Sequence, residues 1–558
     1  MAKLTGSHLI ARSLRAEGVD TLFGIAGDHI LHLLDILVDE PFRMIDGRHE
    51  AASVHMANAY ARLLRRPGVV LSTTPGHANA VAGLANATHA EAPVINIVGS
   101  ANSANLGRGA MQEFDQVGLA APVTKGAWQI PSAERIPEFL ALAVRVAMDG
   151  RRGPVHLTIP EDVQMAEVDE AAAGRYRPME YGAPREQLGD PRQVEQAVEL
   201  LHAAERPVIL AGAGAGATAD PLELQRLVEI TRIPLFTEDH ARSLIPDSHP
   251  YAMGLGYMPL NKALQHVRDA DVVLLLGQRL DYMFGYGGSP PFAPDVKHVM
   301  VEPSAAEIGR ARTVAIGIQA DVGPAITQLA DQAERRTWNE LPWVQTLRDA
   351  DAAYQEELAE LAVERDPMHP MFVSQELRKL VDDDTCLVVD GGDYCHFFRA
   401  SFKAENPFRW LYVSSFGMIG VGLPYALGAQ AALPDKRVVL VVGDGSFGFH
   451  ALELDTAVRH NLNVVAVLGN NSIWGIDWQI QKGLYGRPVW TDLLPTRYDQ
   501  VAAGLGAHAE HVTRAAELAP ALGRALAAGK PALVNVAVGK IISPVAEAAV
   551  NRKLGSHG

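Results

Sequence analysis

The sequence predicts an α/β protein built from three doubly wound parallel-sheet domains. Short apolar, β-branched runs alternate three times over with helical patterns and glycine turns, as parallel strands joined by crossover helices do. At 558 residues the chain is too long for one hydrophobic core, and domains of roughly 100 to 200 residues give a count of about three. Stretches rich in proline, glycine or charge separate the three sets of runs.

The first domain, residues 1–168, offers the strands VDTLFGI, PGVVLSTTPG, PVINIVGS and GPVHLTIP. Each reads as a plausible buried strand. The segment RYRPMEYGAPREQLGDP then reads as a surface linker to a central domain, 188–335, with RPVILAG, ADVVLLLG and HVMVEP. A Glu- and Ala-rich helical stretch, LRDADAAYQEELAELAVERD, leads to the third domain, 366–545, with TCLVVDGG, RVVLVVGDG, NVVAVLGNN and PALVNVAV. Residues 546–558, in SPVAEAAVNRKLGSHG, show no strand pattern and read as a loosely held tail or a lid. The three domains are alike in kind, without letters close enough to establish a duplication.

Composition narrows the ligands. A net charge of -16 without a Lys/Arg-rich block opposes attraction to nucleic acid, so no nucleic-acid partner is expected. No apolar run reaches the roughly 20 residues of a membrane helix, so no membrane segment is expected either. The start, MAKLTGSHLIARSLRAEG, carries charge inside its apolar pattern and reads as a first helix, not a secretory signal. Two cysteines, Cys386 and Cys395, cannot make a disulfide framework. The expectation is a cytoplasmic protein with a small-molecule substrate.

The strongest chemical signal is RVVLVVGDGSFGFHALELDTAVRHNLNVVAVLGNNSIWG. One strand ends in Gly443-Asp444-Gly445-Ser446 and the next in Asn470-Asn471, and parallel neighbours deliver such ends to one edge of a sheet. The glycines permit close approach to a diphosphate, and amides at a helix start favour its charge. A carboxylate and an amide oxygen suit magnesium bound together with phosphate oxygens. Either stretch alone also reads as an ordinary tight turn.

Together, 27 positions apart from Asp444 to Asn471, they resemble the diphosphate-binding signature of thiamine-diphosphate enzymes. The resemblance extends through LTGSHLIARSLRAEGVDTLFGIAGDHI, IDGRHEAASVHMANAYAR, AMQEFDQVGLAAPVTK and FGMIGVGLPYALGAQ. It is to the pyruvate-oxidase, acetolactate-synthase and benzaldehyde-lyase group, with RHEAA, FDQVGLAAPVTK, ADVG and SIWG most similar to benzaldehyde lyase. It implies pyrimidine-binding, central and diphosphate-binding domains, thiamine diphosphate and Mg2+. It also implies a homodimer or homotetramer with active sites at the subunit interface. FAD is not expected.

The resemblance assigns roles residue by residue. Glu50 matches the glutamate that bonds the aminopyrimidine ring and exchanges a proton with it, although an acid there also balances a helix dipole. Asp444 and Asn471, with the Ile473 carbonyl, would hold the metal. Gly392, Asp393, Gly443, Gly445, Ser446, Trp474 and Gly475 would surround the diphosphate side of the cofactor, and Pro75, Gly417 and Ile419 its ring side. Gln112 matches a glutamine placed to bond a developing oxyanion. Asp28 and His29 face the substrate in relatives, although Asp28 also suits a helix cap. Asp28 and Asp477 resemble the acid pair of pyruvate decarboxylases, whereas QEFDQ lacks their adjacent histidines. His77 either borders the cofactor or is solvated. Tyr394, His396, Trp474, Trp478 and Ile480 fit a cavity lining or a core. The expected function is a carbon-carbon lyase or carboligase acting on 2-oxo acids or 2-hydroxy ketones through an acyl-anion equivalent. Acetolactate synthase is the alternative, and a 2-hydroxyacyl-CoA lyase a further one.

Overall fold

The computed structural model describes residues 4–169 and 186–555. Most of the linker read above, and the last three residues of the tail, lie outside them. The described residues form two compact units, each built on parallel six-stranded sheets flanked by helices.

The first unit holds one sheet, in the spatial order Arg43–Asp46, Thr21–Gly24, Gly68–Thr73, Val94–Ser100, Val155–Pro160, Ala127–Gln129. All its pairings are parallel. Val69, Leu71, Ile95, Ile97 and Leu157 are buried on its interior strands, which is why those runs are largely apolar in the sequence. Chain order reverses direction beside Thr21–Gly24, and ligands of such sheets bind at that switch, beyond the carboxyl ends. Two helices from late in the chain, Gly422–Ala432 and Glu453–Arg459, belong to this unit. Gly428 lets the first of them touch the Glu50–Leu64 helix, since a Cβ there would lie 2.1 Å from the Met56 carbonyl oxygen.

The second unit holds two sheets. One runs Ile316–Gln319, Lys297–Glu302, Val272–Leu276, Pro207–Ala211, Leu235–Thr237, Ala252–Leu255. From the far end this is the 3-2-1-4-5-6 order of dinucleotide folds. The other runs Trp410–Tyr412, Cys386–Asp390, Val438–Gly443, Val465–Asn470, Ala532–Ala537, His508–Val512, the same 2-1-3-4-6-5 order as in the first unit. First and third sheets therefore share a topology that the central one does not. Arg399 is wholly buried between Asp239, to which it donates, and the Tyr412 ring, 3.7 Å from its guanidinium carbon. That pair ties the central sheet's loop after Leu235–Thr237 to the Asp393–Ser401 helix.

The end of the chain departs from the expectation of a loose tail: Pro544–Gly555 is a helix. Ser543 is buried and its Oγ accepts from the Ala546 amide at 3.3 Å. Val550 lies against Gly483, where a Cβ would meet it at 3.0 Å. An early Glu547 and late Arg552 and Lys553 match the helix dipole, a signal that the lack of a strand pattern obscures.

Candidate active site

In the first unit, the register Gly24↔Asp46 and Gly24↔Leu71 brings three strand ends to one edge. Asp28, Glu50 and Pro75 all follow from these ends. Glu50 opens the Glu50–Leu64 helix, capped by His49, whose Nδ1 accepts the Ala51 amide at 3.1 Å. Its Oε2 accepts from Asn79 Nδ2 at 3.0 Å, and a Cβ on Gly76 would lie 2.7 Å from Oε1. Glycine at 76 and asparagine at 79 thus set where this carboxyl rests. Pro75 is exposed at the start of the Thr74–His89 helix.

Asp28 is exposed and opens a short 3-10 turn. Gly27 and Ile30 occupy the cap positions of that turn and of the next helix, so the cap alternative for Asp28 is not the one adopted. His29 is buried, and its Nδ1 has no hydrogen-bond partner among the described residues. Gln112 is exposed on a loop with φ 55°. The neighbouring Glu113 holds that loop by accepting from the amides of Gly107, Gly109 and Ala110. Gly417, with φ 70°, is exposed, and Ile419 half-buried, in the loop before Gly422–Ala432.

Beneath this edge lies a buried polar network. His77 stacks on His156 with ring centroids 4.2 Å apart, and Asn96 Nδ2 lies 3.1 Å from the Nδ1 of each. Thr158 and Gln116 complete it, Gln116 Nε2 donating to Thr74 Oγ1 at 2.7 Å. Burial lowers the pKa of both histidines, and His77, wholly buried in this network, is not a solvated loop residue.

In the second unit, Gly443 pairs with Gly469, which sets Asp444 beside the Asn470-Asn471 turn. Asp444 Oδ2 accepts the Ser472 amide at 2.9 Å, and Asn471 Oδ1 accepts the Ile473 amide at 3.2 Å. Asp390 pairs with Val442, so Gly391 and Gly392 arrive at the same edge. Gly391, at φ 137°, would crowd Gly443 N and Ser446 Oγ with any side chain. A Cβ on Gly445 would lie 2.7 Å from the Trp474 ring, whereas one on Gly443 would meet nothing within 4 Å. Burial raises Asp444 to about 6, against the pull of the Ser472 and Gly445 amides. A buried acid of this kind is suited to a cation.

Among the described residues no group of three or more His, Cys, Asp or Glu side chains could hold a metal. One carboxylate, one amide and a carbonyl fit an ion that takes its remaining oxygens from a bound diphosphate. Asp393 is buried and raised to about 6 by desolvation, against the Ser543 hydroxyl, which donates to it at 2.5 Å. Its other oxygen has no hydrogen-bond partner among the described residues. Gly475 abuts Asp393, and Asp477 is exposed on the Gly475–Tyr485 helix. Tyr394 packs on Gly469 and His396 lies 3.1 Å from Arg399, so both belong to the core. No role for Asn79, Gly391, Gln116 or Glu453 is legible in the sequence, because each acts through contacts distant along the chain.

The chain belongs to the thiamine pyrophosphate enzyme family. The N-terminal TPP binding domain of that family matches residues 4–119, the central domain 194–329, and the C-terminal TPP binding domain 390–536. An acetolactate synthase large subunit of Mycobacterium tuberculosis is 36% identical over 95% of each chain. A 2-hydroxyacyl-CoA lyase of Arabidopsis thaliana is 31% identical over 98% of this chain and 97% of its own. An acetolactate synthase large subunit of Corynebacterium glutamicum is 33% identical over 96% of this chain and 87% of its own. These names do not single out benzaldehyde lyase. No described helix is long and apolar enough to cross a membrane.

Proposed function

We propose that this chain is a cytoplasmic, homo-oligomeric enzyme using thiamine diphosphate and Mg2+ to decarboxylate a 2-oxo acid and pass the acyl fragment to a second carbonyl compound. The observation that carries the reading is the convergence of Gly391, Gly392, Gly443, Asp444, Gly445 and Asn471 at one sheet edge. The names of the acetolactate-synthase relatives support the transfer outcome.

When bound, the cofactor would supply an electron sink for negative charge on the former carbonyl carbon of the substrate. Asp444, Asn471 and the Ile473 carbonyl would hold the metal, and the glycines and Ser446 would admit the diphosphate. Glu50, held by Asn79, would keep and release a proton at a ring nitrogen of the aminopyrimidine. Gly417 and Ile419 would support that ring, and Gln112 would donate to the carbonyl oxygen as charge develops.

A second reading, cleavage or decarboxylation with simple proton return, rests on Asp28 and Asp477. Both are exposed acids, with no side-chain hydrogen bond or ion pair among the described residues. In that role they would protonate the product carbon, with His29 next to Asp28 in sequence. The test is product analysis from a panel of 2-oxo acids and 2-hydroxy ketones with both cofactors present. Condensed hydroxy-oxo acids support transfer, free aldehydes support the second reading, and no product from any substrate refutes both. FAD is not expected, and absorbance at about 450 nm, the flavin region, checks for it.

A further inference from the structure

Glu453 takes no part in the chemistry proposed above, yet it is a fully buried carboxyl. No cation pairs with it among the described residues; three donors do. Its Oε1 accepts the backbone amides of Arg48 at 2.9 Å and His49 at 3.1 Å, and Oε2 accepts the Thr456 hydroxyl at 2.6 Å. Burial pushes its pKa up, and these donors with His49 pull it down. A buried acid is costly unless its oxygens are satisfied, and here the amides satisfying them are the two that precede Glu50.

The surrounding contacts converge on the same turn. Arg459 donates to Asp46 Oδ2 at 2.7 Å and to its carbonyl at 2.8 Å, and His460 Nε2 meets Asp46 Oδ1 at 2.7 Å. The Glu453–Arg459 helix and its end therefore hold Asp46, Arg48 and His49, three of the four residues from Asp46, the last of its strand, to His49, just before Glu50. That strand is a four-residue edge strand with one neighbour, too short to fix the turn that follows it. Gly47 completes the fit, since a Cβ there would come within 2.9 Å of Ser53 Oγ and 3.5 Å of Glu453 Oε2.

We infer that Glu453 is a positioning residue for Glu50: by holding the Arg48 and His49 amides it fixes where the Glu50–Leu64 helix begins and where the Glu50 carboxyl points. This rests on the reading of Glu50 as the proton-handling group.

The test uses full-length Glu453→Gln, Glu453→Asp and Glu453→Ala, with Glu50→Gln as reference. Glutamine keeps an oxygen for both amides and offers its own amide to Thr456, whereas aspartate is one methylene too short to reach. Hydrogen exchange of the Arg48 and His49 amides, without cofactor, should match wild type in the Gln variant and be at least about tenfold faster in the Asp variant. Turnover should follow: Gln within about threefold of wild type, Asp at least about tenfold lower in kcat with KM little changed. Wild-type kcat in the Asp or Ala variant overturns the inference. So does a Gln variant as impaired as Asp, which would make charge the cause. If Ala does not fold, the Gln and Asp pair decides. Full turnover by Glu50→Gln would defeat the proposed function instead, while amide exchange still reads the grip on its own.

Discussion

Replacing Gly76 by alanine should separate stability from catalysis. Gly76 is buried in the first turn of the Thr74–His89 helix, and its backbone is not in the left-handed region. A Cβ there would lie 2.7 Å from Glu50 Oε1, 3.0 Å from Cγ and 3.1 Å from Cδ. Ordinary contact begins at 3.4 Å, so the carboxyl must retreat by about 0.7 Å. The obstacle is the end of a flexible side chain, so the fold yields cheaply, and alanine in a helix contributes up to about 1 kcal/mol over glycine. A misplacement near 1 Å in a reacting group costs on the order of 100-fold, so kcat should fall about 10- to 100-fold, or roughly 1.4 to 2.7 kcal/mol of barrier. The assay is kcat on the best 2-oxo acid at saturating cofactor, beside a thermal melt. A kcat within about twofold of wild type would refute the placement of Glu50 as the proton-handling group. A loss of activity matched by a lower melting point would refute the claim that the effect is local.

Other perturbations follow from the same geometry. Gly445→Ala puts a Cβ 2.7 Å from the Trp474 ring and should weaken thiamine diphosphate binding about tenfold or more, close to 1.4 kcal/mol, by calorimetric titration. Asp239→Ala strands a wholly buried Arg399 and should destabilise the fold by about 3–5 kcal/mol, read by urea denaturation. His55 is fully buried and lowered by desolvation from 6.5 to about 3, so the fold keeps it neutral where the unfolded chain protonates it. Stability is therefore complete above 6.5 and falls as pH drops, by about 1.4 kcal/mol per pH unit for this one group. His55→Gln should flatten that fall by one proton, and an unchanged slope would show that His55 is charged in the fold.

What could be read from the sequence was whatever is local. Runs such as RVVLVVG and PVINIVG name their own strands, because a strand buried on both faces is predominantly apolar. The Gly443–Ser446 and Asn470–Asn471 stretches carry turn chemistry in adjacent letters. The three-residue strands Ala127–Gln129, Leu235–Thr237 and Trp410–Tyr412 were not legible, since three residues give no period to detect. Nor was the central sheet's separate strand order, which depends on crossover packing. Glu453 reads as one more helix acid until the fold sets it against Arg48 and His49, about 400 positions away. Asn79 looks like a helix surface residue until its amide meets Glu50. The polar contacts His77–His156, Asn96–His77 and Thr158–Gln116 are scattered over four elements, and only the sheet assembles them.

The central claim is that Asp444 and the Asn471 turn hold thiamine diphosphate through a metal. Its most direct test is calorimetric titration of the wild-type chain and of Asp444→Ala with thiamine diphosphate, with and without Mg2+. The expected result is saturable, Mg2+-dependent binding to the wild type that is lost in Asp444→Ala. Equal binding by both chains, or wild-type binding indifferent to Mg2+, would contradict it.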